Sequence, residues 1–459
     1  MLYARLSFFW FRSEFSARAS PDRASACAFK WIQSDANVCG SASHIDNWVK
    51  YCYDNRSPYL DREGVVIVLT FIKNATLLTP LCRRSGVIVI QDRQIEAIED
   101  HVEIPDGATV IDAQGLYAAP GFVDLHVHGG GGYGVMDCNS QEIIRMCQAH
   151  AQHGVTSILP TTLASPISHL QRAIEAVRQA KEEYPGILGI HLEGPFLSPS
   201  QKGAQNEDSI LPATQENVRA LLDTWDGIRM MGAAPEAVGG LALADTLREA
   251  GIVPSIAHSD ADYDTVVKAI EHGYTDVTHI YSSCSSVIRK NGYRVPGVVE
   301  AGLLQDELTV QIIADGRHLP TALLRLIVKC KGPDKISLIS DGLEYSASQI
   351  QEGTVYRQAN GVETIYEDQV MKLLDRQAFA GSTASGDRLV RTMVEVGVSL
   401  QDAITMASTT PARVIGEDRR KGRLAPGYDA DLVLFDGFIS IKLTMGLGQI
   451  LYSELGAEA

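Results

Sequence analysis

The sequence has eight cysteines but no C-x-x-C pair and no regular cysteine spacing; Cys138, Cys147, Cys284 and Cys330 lie scattered through ordinary segments. That argues against a disulfide framework or a structural zinc knuckle, and predicts reduced thiols in a cytoplasmic protein. Positive charge is short too, since 40 Lys and Arg stand against 56 Asp and Glu, a formal net charge of -16. Nucleic acid and anionic membrane are therefore poor main partners, and an anionic small molecule would have to meet a local cluster of positive side chains. No segment offers the roughly 18 continuous apolar residues of a membrane span. What is present, 45% hydrophobic and 21% charged residues over 459 positions, is the composition of a globular chain with a large core and more than one domain.

Residues 1–65 differ from the rest. They hold Trp10, Trp31 and Trp48, three of the four tryptophans, and no helical or alternating period persists there. LSFFWF from Leu6 is apolar, but it is flanked by Arg5 and Arg12 and is shorter than the about 7 to 15 residues of a signal-peptide core. Arg5, Arg12 and Arg18, opposed by Glu14, allow a transit peptide, yet the aromatic run fits an amphipathic helix poorly. The expectation is an extension outside the fold, disordered or from a non-native upstream start.

Folded structure is expected from Val65. VVIVLTFIKNATLLT, SGVIVIQDRQIEAI and ATVIDAQGLYAAPG are short runs rich in β-branched residues and broken by turn residues, the pattern of a small antiparallel sheet. The pattern returns only near the far end, in ADLVLFDG and IKLTMGLGQILYS. A small β-sandwich domain assembled from both chain ends, residues 66–119 and 411–459, with an insert at 120–410, is the economical reading. The insert alternates strand and helix. Ser140 can cap a helix through His150 that stops at Gly154, a second helix covers Ile167 to Glu183, and a third lies near Glu216 to Leu222. About eight strand and helix units result, an α/β chain of the size of a (β/α)8 TIM-like barrel, with a doubly wound sheet as the structural runner-up.

The chain is organised around Pro120 to Asp137, PGFVDLHVHGGGGYGVMD. A strand from Phe122 to His128 carries two histidines at alternate positions before a glycine-rich turn, and side chains two apart on a strand point the same way. Two polar residues on the wet face of a half-buried strand have the same pattern, so the pair gains its meaning from residues further on. Chemistry in such a barrel sits at the carboxyl ends of the strands. Polar residues collect there: His126 and His128 on the first strand, Glu193 on the third, His258 on the fifth and His279 on the sixth. Asp315 and His318 follow the seventh strand, and Asp341 ends the eighth. Singly, each reads equally well as a strand cap or a core histidine. Together, four histidines and a carboxylate suit zinc or a similar divalent ion with open positions for water. Asp341 is the strand-ending acid left over, and it suits general base and then general acid work. An aspartate that orients a loop or a histidine ligand is the plainer alternative.

At these residues the chain resembles a known family. HLEGPFLSPSQKGAQ at 191–205, AHS at 257–259, THIY at 278–281, IADGRH at 313–318 and SDG at 340–342 are similar to the motif series of the N-acetylglucosamine-6-phosphate deacetylases of the amidohydrolase superfamily. FAGSTASGDRLVRTMVE, MASTTPARVIG and KGRLAPGYDADLVLFD match the family's closing segments. The resemblance implies a barrel with a small β-sandwich, usually a homodimer, that removes acetate from a phosphorylated amino sugar. It implies Glu193, His258 and His279 as metal ligands and Asp341 as the catalytic aspartate. With the pair at His126 and His128, one or two ions per subunit are implied. Arg294 and His318 match phosphate-binding positions, with Arg294 reaching a neighbouring subunit's site. Ala204, Gln205, Ser282, Ser283, Phe379, Ala380 and Gly381 fall at substrate-binding positions.

Two departures stand out. Gln205 occupies the place of a histidine that polarises the acetyl carbonyl, and an amide there can donate a hydrogen bond but carries no charge. Ser282, Ser283 and Cys284 replace an Asn-Ala-Met run, so an amide that usually contacts substrate is missing. These changes leave the particular sugar open, N-acetylgalactosamine-6-phosphate included. A cyclic-amide hydrolase, a non-catalytic barrel and a sugar-phosphate binding module are the competing classes. The absence of a lysine at the Glu193 position counts against the carboxylated-lysine hydrolases, and the complete ligand set counts against a bare scaffold.

Overall fold

The structure, a computed structural model, describes residues 68–79, 83–358 and 361–455. The expectations for residues 1–65 lie outside them. Strands β1 (Leu69–Leu78), β2 (Arg83–Gln91) and β3 (Gln94–Glu99) form an antiparallel meander. Strands β4 (Thr109–Asp112) and β5 (Tyr117–Pro120) then run parallel to β1 along its other edge, where the sequence led us to expect antiparallel pairing throughout. The reason is local: Asn74, at φ 59°, interrupts the β1 ladder, so the first half of β1 pairs with β4 and the second half with β5. The Asn74 amide holds that corner by donating to the Asp112 carboxylate at 3.0 Å.

The chain then enters the barrel. Strands β6 (Phe122–Val127), β7 (Val155–Thr162), β8 (Ile190–Glu193), β9 (Ile228–Ala233), β10 (Val253–Ile256) and β11 (Asp276–Val277) pair in chain order, all parallel. An exposed hairpin follows, β12 (Ile288–Lys290) and β13 (Tyr293–Val295). Strands β14 (Thr309–Ile313) and β15 (Ile336–Ile339) complete the parallel series of eight. Between the strands lie α1 (Ser140–Ala151), α2 (Ile167–Glu183), α3 (Gln215–Leu222), α4 (Gly240–Glu249), α5 (Tyr263–His272), α6 (Val298–Leu304) and α7 (Thr321–Lys331). In α2, Leu170, Ala173, Ile174 and Val177 recur at helical spacing and are buried in the main core, which is why the sequence pattern locates it. Helix α1 is capped by Asn139, whose side chain accepts from the N–H groups of Gln141 and Glu142; Ser140, the expected cap, is already the first helical residue.

After β15 the chain makes a three-stranded antiparallel excursion, β16 (Val355–Arg357), β17 (Glu363–Glu367) and β18 (Val370–Leu373). It returns through α8 (Gly386–Glu395), α9 (Leu400–Ala407) and α10 (Thr409–Val414). Leu125, Leu159, Met230, Ile313 and Ile339 pack on Ala412 and Ile415. The turn after α10 lies at the end of the barrel where β9 begins, since Arg229 there donates to the Ile415 carbonyl. Strands β19 (Leu432–Phe435), β20 (Ile441–Gly446) and β21 (Gln449–Ser453) then complete the small sheet, with β19 antiparallel to β5. Both chain ends thus build one eight-stranded hydrogen-bonded sheet beside the barrel. Among the described residues no helix is long and apolar enough to cross a membrane.

Candidate metal centre and active-site cavity

The site is made by the closing of the barrel. The Asp341 N–H donates to the His126 carbonyl at 2.9 Å, and the N–H groups of His128 and Gly129 both donate to the Gly342 carbonyl, at 2.8 and 2.9 Å. Gly129 has to be glycine, because a Cβ there would lie 2.5 Å from the Glu344 Cα. Strand β6 ends at Val127, one residue before the expected His128, yet the alternation still brings the two rings together: their Nε2 atoms are 3.1 Å apart.

The remaining groups arrive from the ends of other strands. Glu193 is the last residue of β8, and His258, His279 and Asp341 each follow their strand by two residues. All three of the latter take a left-handed backbone, with φ of 45°, 29° and 46°. Such a conformation is unfavourable for these residue types and is held only where the surroundings enforce it; here the chain bends sharply at three strand ends. Glu193 Oε1 lies 3.0 Å from His258 Nε2, 2.8 Å from His279 Nε2 and 3.5 Å from His126 Nε2. Its Oε2 is 3.5 Å from His128 Nε2, and Asp341 Oδ1 is 3.2 Å from the same nitrogen.

Three of the rings are held in one tautomer. Nδ1 of His128, His258 and His279 faces the carbonyls of Thr161, Gln201 and Ser282 at 3.2, 2.8 and 3.1 Å. A carbonyl only accepts, so Nδ1 carries the proton and Nε2 of a neutral ring presents a lone pair. Lone pairs of imidazole and carboxylate at these separations repel unless positive charge lies among them. Two sets of donors, His126–His128–Glu193 and Glu193–His258–His279, each gather their ligand atoms within 4.8 Å of one another. All five side chains are buried. Nitrogen and carboxylate donors with carbonyl-oriented rings are the chemistry of a divalent-cation site, so the residues fit such a group.

The buried carboxylates and rings shift one another. Burial by itself would raise the carboxyl of Glu193, but the nearby His126 and His258 rings hold it well below the usual range. Burial would likewise raise Asp341, yet the His128 hydrogen bond and the His126, His128 and His279 rings bring it down to about 2. Burial pushes His126 well below the ordinary imidazole value. Burial would lower His128 and His279 as well, but the Asp341 hydrogen bond and the Glu193 charge raise His128, and hydrogen bonds with Cys284 and Glu193 together with the two carboxylates raise His279 well above that value.

A cavity of about 420 Å³ opens on this cluster. His128, Glu193, His258, His279 and Asp341 line it, as do Ala204, Gln205, Ser282, Ser283, His318, Phe379, Ala380 and Gly381. His126 belongs to the donor cluster but not to the lining. Arg294 is not brought there either; it is exposed on β13 of the hairpin. Asp315 accepts from the N–H groups of Arg317 and His318 and from His318 Nδ1, all at 2.8 Å, so the His318 ring is fixed with Nε2 left for the cavity. The Phe379 ring meets His318 edge-on, 4.9 Å between centroids. Gln358, Arg376 and Gln377 also line the cavity and were not read from the sequence. Their one signal there was position, two and three residues before Phe379 for Gln377 and Arg376.

The model of the amidohydrolase family matches residues 117–454. N-acetylglucosamine-6-phosphate deacetylase of Lysinibacillus sphaericus is 28% identical over 83% of this chain and 97% of its own length. N-acetylgalactosamine-6-phosphate deacetylase of Escherichia coli O157:H7 is 32% identical over 79% of this chain and 93% of its own length. The crystal structure of N-acetylglucosamine-6-phosphate deacetylase from Pasteurella multocida superposes with a TM-score of 0.78 at 29% identity, covering 83% of this chain and 99% of that one. With a parallel eight-stranded barrel, the histidine and glutamate donors at its mouth and these relationships, the chain belongs to the amidohydrolase family, in the branch of the N-acetylglucosamine-6-phosphate deacetylases.

Proposed function

We propose that the protein hydrolyses the acetamide of N-acetylglucosamine-6-phosphate to glucosamine-6-phosphate and acetate, as a metal-dependent deacetylase of amino-sugar catabolism. The observation that carries this reading is the convergence of His126, His128, Glu193, His258 and His279 beside a cavity that also contains Asp341 and His318. Glu193, His258 and His279 would hold one divalent ion, and His126 and His128 with Glu193 a second. The donor set favours zinc. Such an ion supplies Lewis acidity, which makes water nucleophilic near neutral pH and polarises the acyl carbonyl.

The chain's own groups do the rest. Asp341 Oδ1 faces His128, so Oδ2 is the atom that takes a proton from the attacking water and later delivers it to the amine nitrogen. His318 Nε2 faces the sugar phosphate. Ala204, Ser282, Ser283, Phe379, Ala380 and Gly381 line the sugar, and this remote binding aligns the acetamide for attack. Arg294 lies outside its own chain's cavity, on a hairpin that also exposes Val287, Ile288 and Tyr293. These exposed apolar side chains suit contact with a second copy, whose cavity Arg294 enters to grip the phosphate bidentately. The working unit is a homodimer in the cytoplasm, in keeping with the free thiols of Cys138, Cys147, Cys284 and Cys330.

N-acetylgalactosamine-6-phosphate is the second reading, favoured by the E. coli relative's name; the serines at 282 and 283 leave the sugar open. Acetate release from zinc-loaded protein, with each phosphorylated sugar and with unphosphorylated N-acetylglucosamine, tests both. About a tenfold preference in kcat/KM for the phosphorylated glucosamine compound supports the first reading. The reverse preference supports the second, and no acetate from any of them removes both.

A further inference from the structure

Gln205 is a buried residue of the cavity wall with both ends of its amide in use. The backbone N–H of Ala164 donates to Oε1 at 2.8 Å. An N–H can only donate, so the amide oxygen has to face Ala164, and the orientation of the whole group follows. The NH2 end is thereby turned onto Glu193, where Nε2 donates to Oε2 at 2.6 Å. The opposite oxygen, Oε1, is the one near the His258 and His279 nitrogens. Ala164 lies just past the end of β7, the strand beside β8. The neighbouring strand therefore sets the rotation of the Glu193 carboxylate, with Gln205 as the link.

Building on the metal-dependent reading above, we infer that Gln205 is a positioning residue for the metal centre: it occupies Glu193 Oε2 and presents Oε1 to the His258–His279 side. It acts through Glu193 rather than on the acyl group. A carboxylate already held loses less torsional freedom when it takes up an ion. A neutral amide also leaves the carboxylate's charge intact, whereas a protonated ring in that place would compete with the ion for it. Partners that orient a metal ligand in this way change metal affinity when they are removed, typically about 10- to 100-fold.

The experiment uses the full chain stripped of metal, with zinc titrated in competition with a chromophoric chelator. Gln205→Leu, of similar volume and without hydrogen-bonding capacity, is expected to weaken zinc binding about 10- to 100-fold. Unchanged zinc affinity overturns the inference, whatever happens to turnover. Circular dichroism of the metal-free forms checks the fold, and Gln205→Met, unbranched and of equal length, replaces the leucine variant if that one does not fold. Zinc binding is read without substrate, so failure of the deacetylase reading would show separately, as wild-type protein that binds zinc and releases no acetate.

Discussion

Asp341 is tied to His126 by a backbone hydrogen bond, N–H to carbonyl at 2.9 Å, across the seam where the last barrel strand meets the first. The proposed proton carrier and a proposed metal ligand are therefore set by the same contact that closes the barrel. Asp341 Oδ1 lies 3.2 Å from His128 Nε2 and 3.6 Å from His126 Nε2.

Asp341→Asn keeps the shape of the carboxylate but cannot take up a proton. Acetate release is expected to fall about 10²- to 10⁴-fold, the usual contribution of a positioned acid-base group. Zinc content by elemental analysis is expected to stay at the wild-type value. Full activity in this variant would remove the proton-transfer role.

Glu193 is shared by both donor sets, so its loss affects both. Dialysis against a chelator is expected to abolish acetate release and added zinc to restore it. Zinc at about 100 times its Kd should raise the unfolding free energy of the wild type by about 2.7 kcal/mol. Glu193→Ala should show little of that stabilisation in a thermal unfolding experiment.

His150, away from the donor cluster, gives the acid limit. It is fully buried, its Nε2 bonded to the Gly129 carbonyl at 2.9 Å, and burial pushes its pKa from the usual 6.5 to about 4. The folded-state pKa lies below the unfolded one, so between them the unfolded chain binds more protons and stability rises with pH. Acidification from pH 6.5 to 4 is then expected to remove up to about 3 kcal/mol through this group. His150→Gln can keep the bond to Gly129 without titrating, and urea unfolding at stepped pH should show a shallower loss in that window.

Lys421 is 1% exposed and lies 2.6 Å from an Asp431 oxygen and 3.0 Å from an Asp429 oxygen. Asp431 also accepts from Ser157 on β7 and from the Leu447 N–H, so the ion pair joins the barrel to the small sheet. Lys421→Met leaves the buried Asp431 carboxylate without its cation, while Asp429 keeps Arg420 at 2.7 Å, and is expected to cost about 3 to 5 kcal/mol. The double replacement with Asp431→Leu should recover part of that, a comparison read from denaturant midpoints.

Much of the fold was legible because it obeys short periods. Helix α2 runs from Ile167 to Glu183 as its buried repeat indicates, and about eight barrel units were visible as an alternation of strand and helix. Strand direction was not legible. Alternation marks residues that face a core, but says nothing of which neighbour they pair with, so the parallel pairing of β4 and β5 with β1 escaped. The β16–β18 excursion escaped too: its strands are short and largely outside the core, and with it went Gln358, Arg376 and Gln377 on the cavity wall.

By itself the sequence determined the order of strands and helices, the i, i+2 spacing of His126 and His128, and the placing of acids and histidines at strand ends. Those are consequences of local backbone geometry. Only the tertiary structure decided that Nε2 is the inward nitrogen of His128, His258 and His279, that Gln205 turns its amide onto Glu193, and that Arg294 stays outside its own cavity. The physical reason is that each of these depends on a carbonyl, an amide or a carboxylate brought from a distant segment by the closing of the barrel, and no repeat along the chain encodes which distant atom will be there.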